Sequence, residues 1–421
     1  MTISSGVPVK WIRIALLNFT VVALAGMFLR YKVSYSLPGL EFKNLLHAHS
    51  HFAFSGWVST CLFAVIMAYF LNTEQQQKKI YRRLFLLSQI MSYGMLFSFL
   101  IQEYGPVSIA FSTLYLFVTY GFAIALWRDT KKQGRTLPVL ALRVSLICLV
   151  LSSLGPYGLA IIKTSHFLNP SLYHNSIYWY LHFQYNGWFS FAIFAIALRA
   201  LSIKYGEEFI NRFKPVLKLM IIASLPTYLL SILWIMPPFW VYIIAGTGAF
   251  IQLLACFILF RRMATSKIKP AFNPRNAAGG LLLLAFISVI IKLILQQMLV
   301  FPWLNQFVFG HRPVIIGFLH LVMLGFVSFF LLGMTIKNNF LTISNRVSAI
   351  SLFVFVSGVV LNEACLLLRG LDDIFFISMQ SIPFWLFVAA LMMFSGITAF
   401  AFSQKKILHE IIPFTKKEIK E

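Results

Sequence analysis

Three histidines stand within five residues in Leu46-His47-Ala48-His49-Ser50-His51-Phe52, at the head of the apolar run Phe52 to Leu71. An ionisable side chain inside a bilayer is costly unless it has a partner or a task. The task that suits several neutral imidazoles is ligation of a metal ion or of heme iron. His47 and His51 are four residues apart and share one face of a helix, whereas His49 points roughly the other way. One of the pair can therefore ligate while the other lines the same cavity. Two further histidines lie inside apolar runs: His182, in Tyr180-Leu181-His182-Phe183-Gln184-Tyr185-Asn186-Gly187-Trp188, and His320, in Gly317-Phe318-Leu319-His320-Leu321-Val322-Met323-Leu324-Gly325. His166 and His174 fall in a loop, His311 just outside an apolar segment and His409 in the C-terminal tail, where ordinary solvated or interfacial roles are expected.

Apolar segments must position these groups. Hydrophobic residues make up 59% of the chain and charged residues only 11%, against about 25% charged in a soluble domain. About 20 apolar residues span a bilayer as a helix. Twelve such segments are predicted, over 11–31, 45–71, 84–103, 105–127, 138–162, 177–203, 215–236, 238–260, 279–300, 313–336, 347–368 and 380–403. The expected fold is thus an all-α polytopic bundle forming one domain over 1–421, with no soluble domain between segments and no strong internal repeat. Lys10 and Arg13 before Ile14–Leu29 resemble a signal peptide, but no small-residue cleavage site follows, so the segment reads as a retained first helix.

The net charge of +23 does not point to nucleic acid, because the basic residues form short blocks between apolar segments. With the N-terminus inside, most of the 35 lysines and arginines fall in inside loops, which makes both termini cytoplasmic and supports an even number of spans. Cys61, Cys148, Cys256 and Cys365 each lie in a different apolar run, so neither a disulfide framework nor a zinc site is expected, and no Cys-x-x-Cys-His offers covalent heme attachment. In this topology the second, sixth and tenth segments run in the same direction. At about 1.5 Å per residue, His47, His182 and His320 then share a slab roughly 3–11 Å below the outer surface.

A heme held by two imidazoles needs facing helices and small residues that admit the macrocycle. Ala48, Ala53, Ser55 and Gly56 supply these on the second segment, Gly317 and Gly325 on the tenth. Arg312 and Arg369 are the candidate partners for heme propionates, with Arg30 and Lys43 as further candidates. Lys292 and Gln296 share a face in the ninth segment, and Asn362 and Glu363 lie in the eleventh. A proton path or a Lys292–Glu363 ion pair would use them, and local bonding or snorkelling is the alternative.

Taken together, the chain resembles the catalytic subunit I of the heme-copper oxidase superfamily, closest to its C-family (cbb-type) oxidases and nitric oxide reductases. His47 through Gly56 resembles the family's second-helix stretch that carries a low-spin heme ligand. Gly317 to Gly325 resembles its tenth-helix Gly-His-x-His-x-x-x-Leu-Gly framework, with His320 in the low-spin position. The chain departs from that pattern where Phe318 replaces the high-spin heme ligand and where the seventh segment, Pro215 to Met236, lacks the family's copper-binding His-His pair. His182 stands where a remaining copper ligand would be, and one imidazole does not make a copper site. There is a weaker similarity to NnrS-type heme-copper membrane proteins. The resemblance implies a bacterial inner-membrane protein that keeps a low-spin heme b between His47 and His320 and has lost the oxygen-reducing centre. It also implies a role in electron transfer or in nitric oxide or oxygen response, with other respiratory subunits or cytochromes as partners. His51 and His182 are the additional candidate metal ligands. The competing readings are a small-molecule or metal transporter, an active terminal oxidase or nitric oxide reductase subunit, and an assembly or scaffold protein.

Overall fold

The computed structural model describes residues 6–164, 169–265, 273–375 and 379–404, with backbone alone for 163–164 and 373–375. His166 and His409 lie outside the described residues. The described chain is all-α, without a strand, and contains twelve helices long and apolar enough to cross a membrane. They are α1 (Val7–Ser34), α2 (Phe42–Phe70), α3 (Lys79–Ile101), α4 (Pro106–Asp129), α5 (Leu137–Ile162), α6 (Pro170–Tyr205), α7 (Lys214–Ile235), α8 (Phe239–Ala264), α9 (Ala277–Met298), α10 (Arg312–Lys337), α11 (Arg346–Asp372) and α12 (Ile382–Phe402). Each corresponds to one predicted segment.

Local chemistry sets the helix starts. Proline stands in the first turn of α1, α5, α6, α7, α10 and α12, where its missing N–H is not needed. Asn169 caps α6 by accepting from the Ser171 and Leu172 amides, and Asn276 caps α9 by accepting from the Gly279 amide. Inside a bilayer the backbone must satisfy itself, and long continuous helices do so.

The helices group into two compact units. One gathers Tyr69–Gln75 and Leu116–Met334; the other gathers the described residues of Ile3–Ala68, Gln76–Tyr115 and Thr335–Glu421. In the second unit α1 packs on α2 and α12, α2 packs on α3, and α11 pairs along its length with α12. Its centre holds the stacked rings of Phe19 and Trp57, 4.4 Å apart at 2°. In the first unit α5 packs on α6, α7 on α8, α8 on α9, and α9 on α10.

Three of the spanning helices contain a π-helical stretch. Residues 53–59 of α2, 182–189 of α6 and 321–328 of α10 form wide π-helical turns, each inserting one surplus residue. In α7 the chain tightens to a 3₁₀ helix over Pro226–Ile235.

Candidate functional site: histidines at three π turns

The histidine triplet lies one turn before the π turn of α2. Helical spacing divides it as expected. His49 turns toward α1, where its Nδ1 meets the Val22 carbonyl at 3.0 Å and its ring lies over Gly26. His47 and His51 turn toward the end of α3 and the loop beyond. The His51 ring stacks on Phe99, centroids 4.4 Å apart, and its Nε2 shares a hydrogen bond of 3.2 Å with the Tyr104 hydroxyl. His47 Nε2 lies 3.4 Å from the Glu103 carboxylate, and its ring meets the edge of Tyr104 at 4.8 Å. Two imidazoles thus share an aromatic recess, each with one nitrogen held by an oxygen partner. Such a hydrogen bond orients a ligating imidazole and raises its basicity.

A buried polar network fixes the backbone below this recess. Asn18 of α1 donates from Nδ2 both to the Gly56 carbonyl and to Gln89 Oε1, each at 2.7 Å. Tyr93 donates to Asn18 Oδ1 at 2.8 Å, Gln89 donates to the Thr60 hydroxyl at 3.0 Å, and Thr60 donates to the Ser55 carbonyl at 2.9 Å. The π turn releases carbonyls from the usual helical ladder, and side chains of α1 and α2 take them up.

His182 opens the π turn of α6 and has both ring nitrogens engaged. Nε2–H donates to the Ser224 carbonyl at 2.8 Å, and Nδ1 accepts from Asn186 Nδ2 at 3.2 Å. The reason lies in α7. With the 3₁₀ turn that begins at Pro226, the Tyr228 amide bonds to Leu225, so the Ser224 carbonyl has no helical amide donor. His182 supplies that donor. In this arrangement His182 joins α6 to α7 and offers no lone pair to a metal. Among the described residues no group of three or more His, Cys, Asp or Glu side chains could hold a metal ion.

His320 is the last residue before the π turn of α10. Phe318, two residues earlier, packs its ring edge-on against Tyr185, centroids 6.2 Å apart. His47 and His51 belong to the second unit and His320 to the first. Arg312 is exposed at the start of α10. Arg369 pairs with the buried Asp372 carboxylate at 2.9 Å. Glu363 accepts from Asn362 at 3.0 Å and interacts electrostatically with Arg30, whereas Lys292 interacts with His182 and Cys256. His311 Nδ1 meets the Phe307 carbonyl and His174 Nδ1 the Pro170 carbonyl, both local contacts. All four cysteines are buried and unbridged.

No family model matches the chain, and no curated protein matches it.

The π turns expose a pattern that the reading of apolar segments passed over. His51-x4-Gly56-Trp57-Val58-Ser59, His182-x4-Gly187-Trp188-Phe189-Ser190 and His320-x4-Gly325-Phe326-Val327-Ser328 are one motif in register. It recurs in every fourth spanning helix, and a π turn coincides with it each time. The expectation of no strong internal repeat is corrected accordingly. Ser190 and Ser328 each donate to the carbonyl five residues earlier, Tyr185 at 2.6 Å and Met323 at 2.7 Å, and Thr60 does the same for Ser55. The preceding helix packs on each π turn. A Cβ on Gly187 would come within 2.6 Å of Cys148 Cβ on α5, and one on Gly325 within 2.6 Å of the Ser288 hydroxyl on α9. In α6 and α10 the motif carries a histidine, a wide turn, a glycine for close approach and a hydroxyl for the released carbonyl; in α2 that hydroxyl comes from Thr60, one residue past the motif's Ser59. His51, not His47, occupies the position equivalent to His182 and His320.

Proposed function

We propose that the chain is a multi-pass membrane heme protein of the heme-copper oxidase type that retains a low-spin heme b site and lacks an oxygen-reducing centre. The observation that carries this reading is the His-x4-Gly-aromatic-x-Ser motif at a π turn in α2, α6 and α10, the three helices in which the sequence resemblance places ligands. Wide turns of this kind occur often at functional sites because they re-aim the side chains that precede them. His47 and His320 are the residues that would hold the heme iron, with His51 as the alternative on α2 that the repeat favours. The donor chemistry fits: the recess of His47 and His51 has aromatic walls from Phe99 and Tyr104, and Glu103 and Tyr104 hold an imidazole nitrogen of each. His182 is proposed as a structural donor to α7. Arg312 and Arg369 remain the proposed propionate partners, and for Arg369 this requires competition with Asp372.

Heme, when bound, supplies one-electron redox chemistry. The protein's own residues orient the imidazoles, and Phe318 offers no ligand for a second iron. Electron transfer or a response to nitric oxide or oxygen follows as the proposed role, in the bacterial inner membrane with both termini cytoplasmic and respiratory subunits or cytochromes as partners. The absorption spectrum of the purified full-length protein tests the proposal. A low-spin spectrum lost in His320→Ala and in one of His47→Ala or His51→Ala is expected, and whichever α2 variant loses it names the ligand. A heme-free protein, or a spectrum unchanged in all three variants, rejects the reading.

A further inference from the structure

A second polar site lies within the first unit, apart from the triplet. Lys292 of α9 is only 5% exposed, and it makes no hydrogen bond or ion pair with any described residue. Three carbonyl oxygens on three helices share this condition: Asn186 Oδ1 on α6, Gln252 Oε1 on α8 and Gln296 Oε1 on α9 are buried without a hydrogen-bond donor. Their residues are 8%, 4% and 4% exposed.

Hydrogen-bond logic fixes which atoms are left over. The Ser224 carbonyl can only accept, so His182 must carry its proton on Nε2, and neutral Nδ1 must then accept. Asn186 therefore presents its NH₂ group to His182, and its carbonyl oxygen is the one left unbonded. Thr227 spends its hydroxyl proton on the Ala223 carbonyl at 2.8 Å, so it accepts from Gln252 Nε2 at 3.3 Å, and Gln252 Oε1 is left. Gln296 lies one helical turn beyond Lys292 on the same face, and Gln252 one turn before Cys256. His182 and Cys256 are the titratable groups that act electrostatically on Lys292. From α7 the neighbours of His182 and Gln252 are Thr227, the Ser224 carbonyl and the titratable Tyr228, whose ring meets that of His182 edge-on at 5.7 Å, and α10 meets α9 one turn before Lys292, through Gly325 on Ser288.

An amine whose hydrogen bonds are unmade, sharing one compact unit with three buried acceptors that lack donors, calls for a molecule that both accepts and donates. Water does so, and buried water characteristically makes about three such bonds. A buried polar group left unbonded would otherwise cost free energy that a native membrane protein does not bear without a return. We infer that Lys292, Asn186, Gln252 and Gln296 form a hydrated, protonatable site inside the helices of this unit, whose ligands are water and the proton. Water accepts from the Lys292 ammonium and donates to the amide oxygens. On release, one N–H bond of the ammonium breaks, its electron pair stays on nitrogen, and the proton passes to water. The site does not depend on heme and stands or falls separately from the function proposed above.

Two measurements on the full-length protein in detergent test it. In hydroxyl-radical footprinting by X-ray radiolysis, Cys256 should be oxidised at least about threefold faster than Cys61, which is fully buried. Lys292→Met should remove that difference. Equal oxidation of the two thiols in the wild-type protein means a dry site and overturns the proposal, whether or not the variant folds. With lysine labelled at ¹⁵Nζ, one resonance, absent in Lys292→Met and in the milder Lys292→Gln, should move reversibly with pH between ammonium and amine positions. A Lys292 resonance fixed at one position across the pH range in which the protein stays folded also overturns it.

Discussion

At the scale of single residues, the histidines divide by what holds them. The His49 and His182 rings are tied to backbone carbonyls, whereas His47 and His51 meet side-chain oxygens that can turn away. Helical spacing alone separated His49 from the other two, so that division was legible in the sequence. The role of His182 was not, because it depends on a carbonyl released 42 residues later in another helix. His182→Phe should fill the same volume yet strand the Ser224 carbonyl. A loss of about 1–3 kcal/mol is expected, read as a lower thermal midpoint in detergent, with heme content unchanged. Gly187→Val should cost about 1–3 kcal/mol by overpacking against Cys148, and Cys148→Ala should not rescue it, because the clash is with Cβ.

At the scale of the helix, the π turn of α2 links the buried network to the histidine recess. Asn18 holds the Gly56 carbonyl and Gln89 together, and removing it leaves Gly56, Gln89 and Tyr93 short of partners. Asn18→Leu should therefore destabilise by about 2–3 kcal/mol, measured by thermal or denaturant unfolding in detergent. Deleting Ala53 removes the surplus residue of that turn. The helix should then close into ordinary α geometry, returning the Ser55 and Gly56 carbonyls to the helical ladder. Asn18 Nδ2 and the Thr60 hydroxyl would lose their backbone acceptors, so the thermal midpoint in detergent should fall while far-ultraviolet circular dichroism stays the same. Propensity and hydropathy do not register such a turn, because one inserted residue changes neither. The repeated spacing of His, Gly and Ser does register it, and comparison of the three segments with one another could have found it.

At the scale of the whole molecule, hydropathy sufficed to place all twelve helices, since a bilayer leaves the backbone few alternatives. Two compact units were not legible, because they combine segments far apart in sequence. The orientation proposed from the basic loops makes a direct prediction. Alkaline phosphatase fused after Gly39 or Trp303 should be active, and fused after Gly134 or Gly206 it should be inactive; the reverse pattern would place both termini outside.

The bond from His182 to α7 also bears on how this half of the protein can move. Sliding α6 by one helical turn past α7 would leave a peptide oxygen facing hydrocarbon with no donor in reach. That single imidazole therefore acts as a register pin. Any motion linked to events at the neighbouring helices should carry α6 and α7 together as one body.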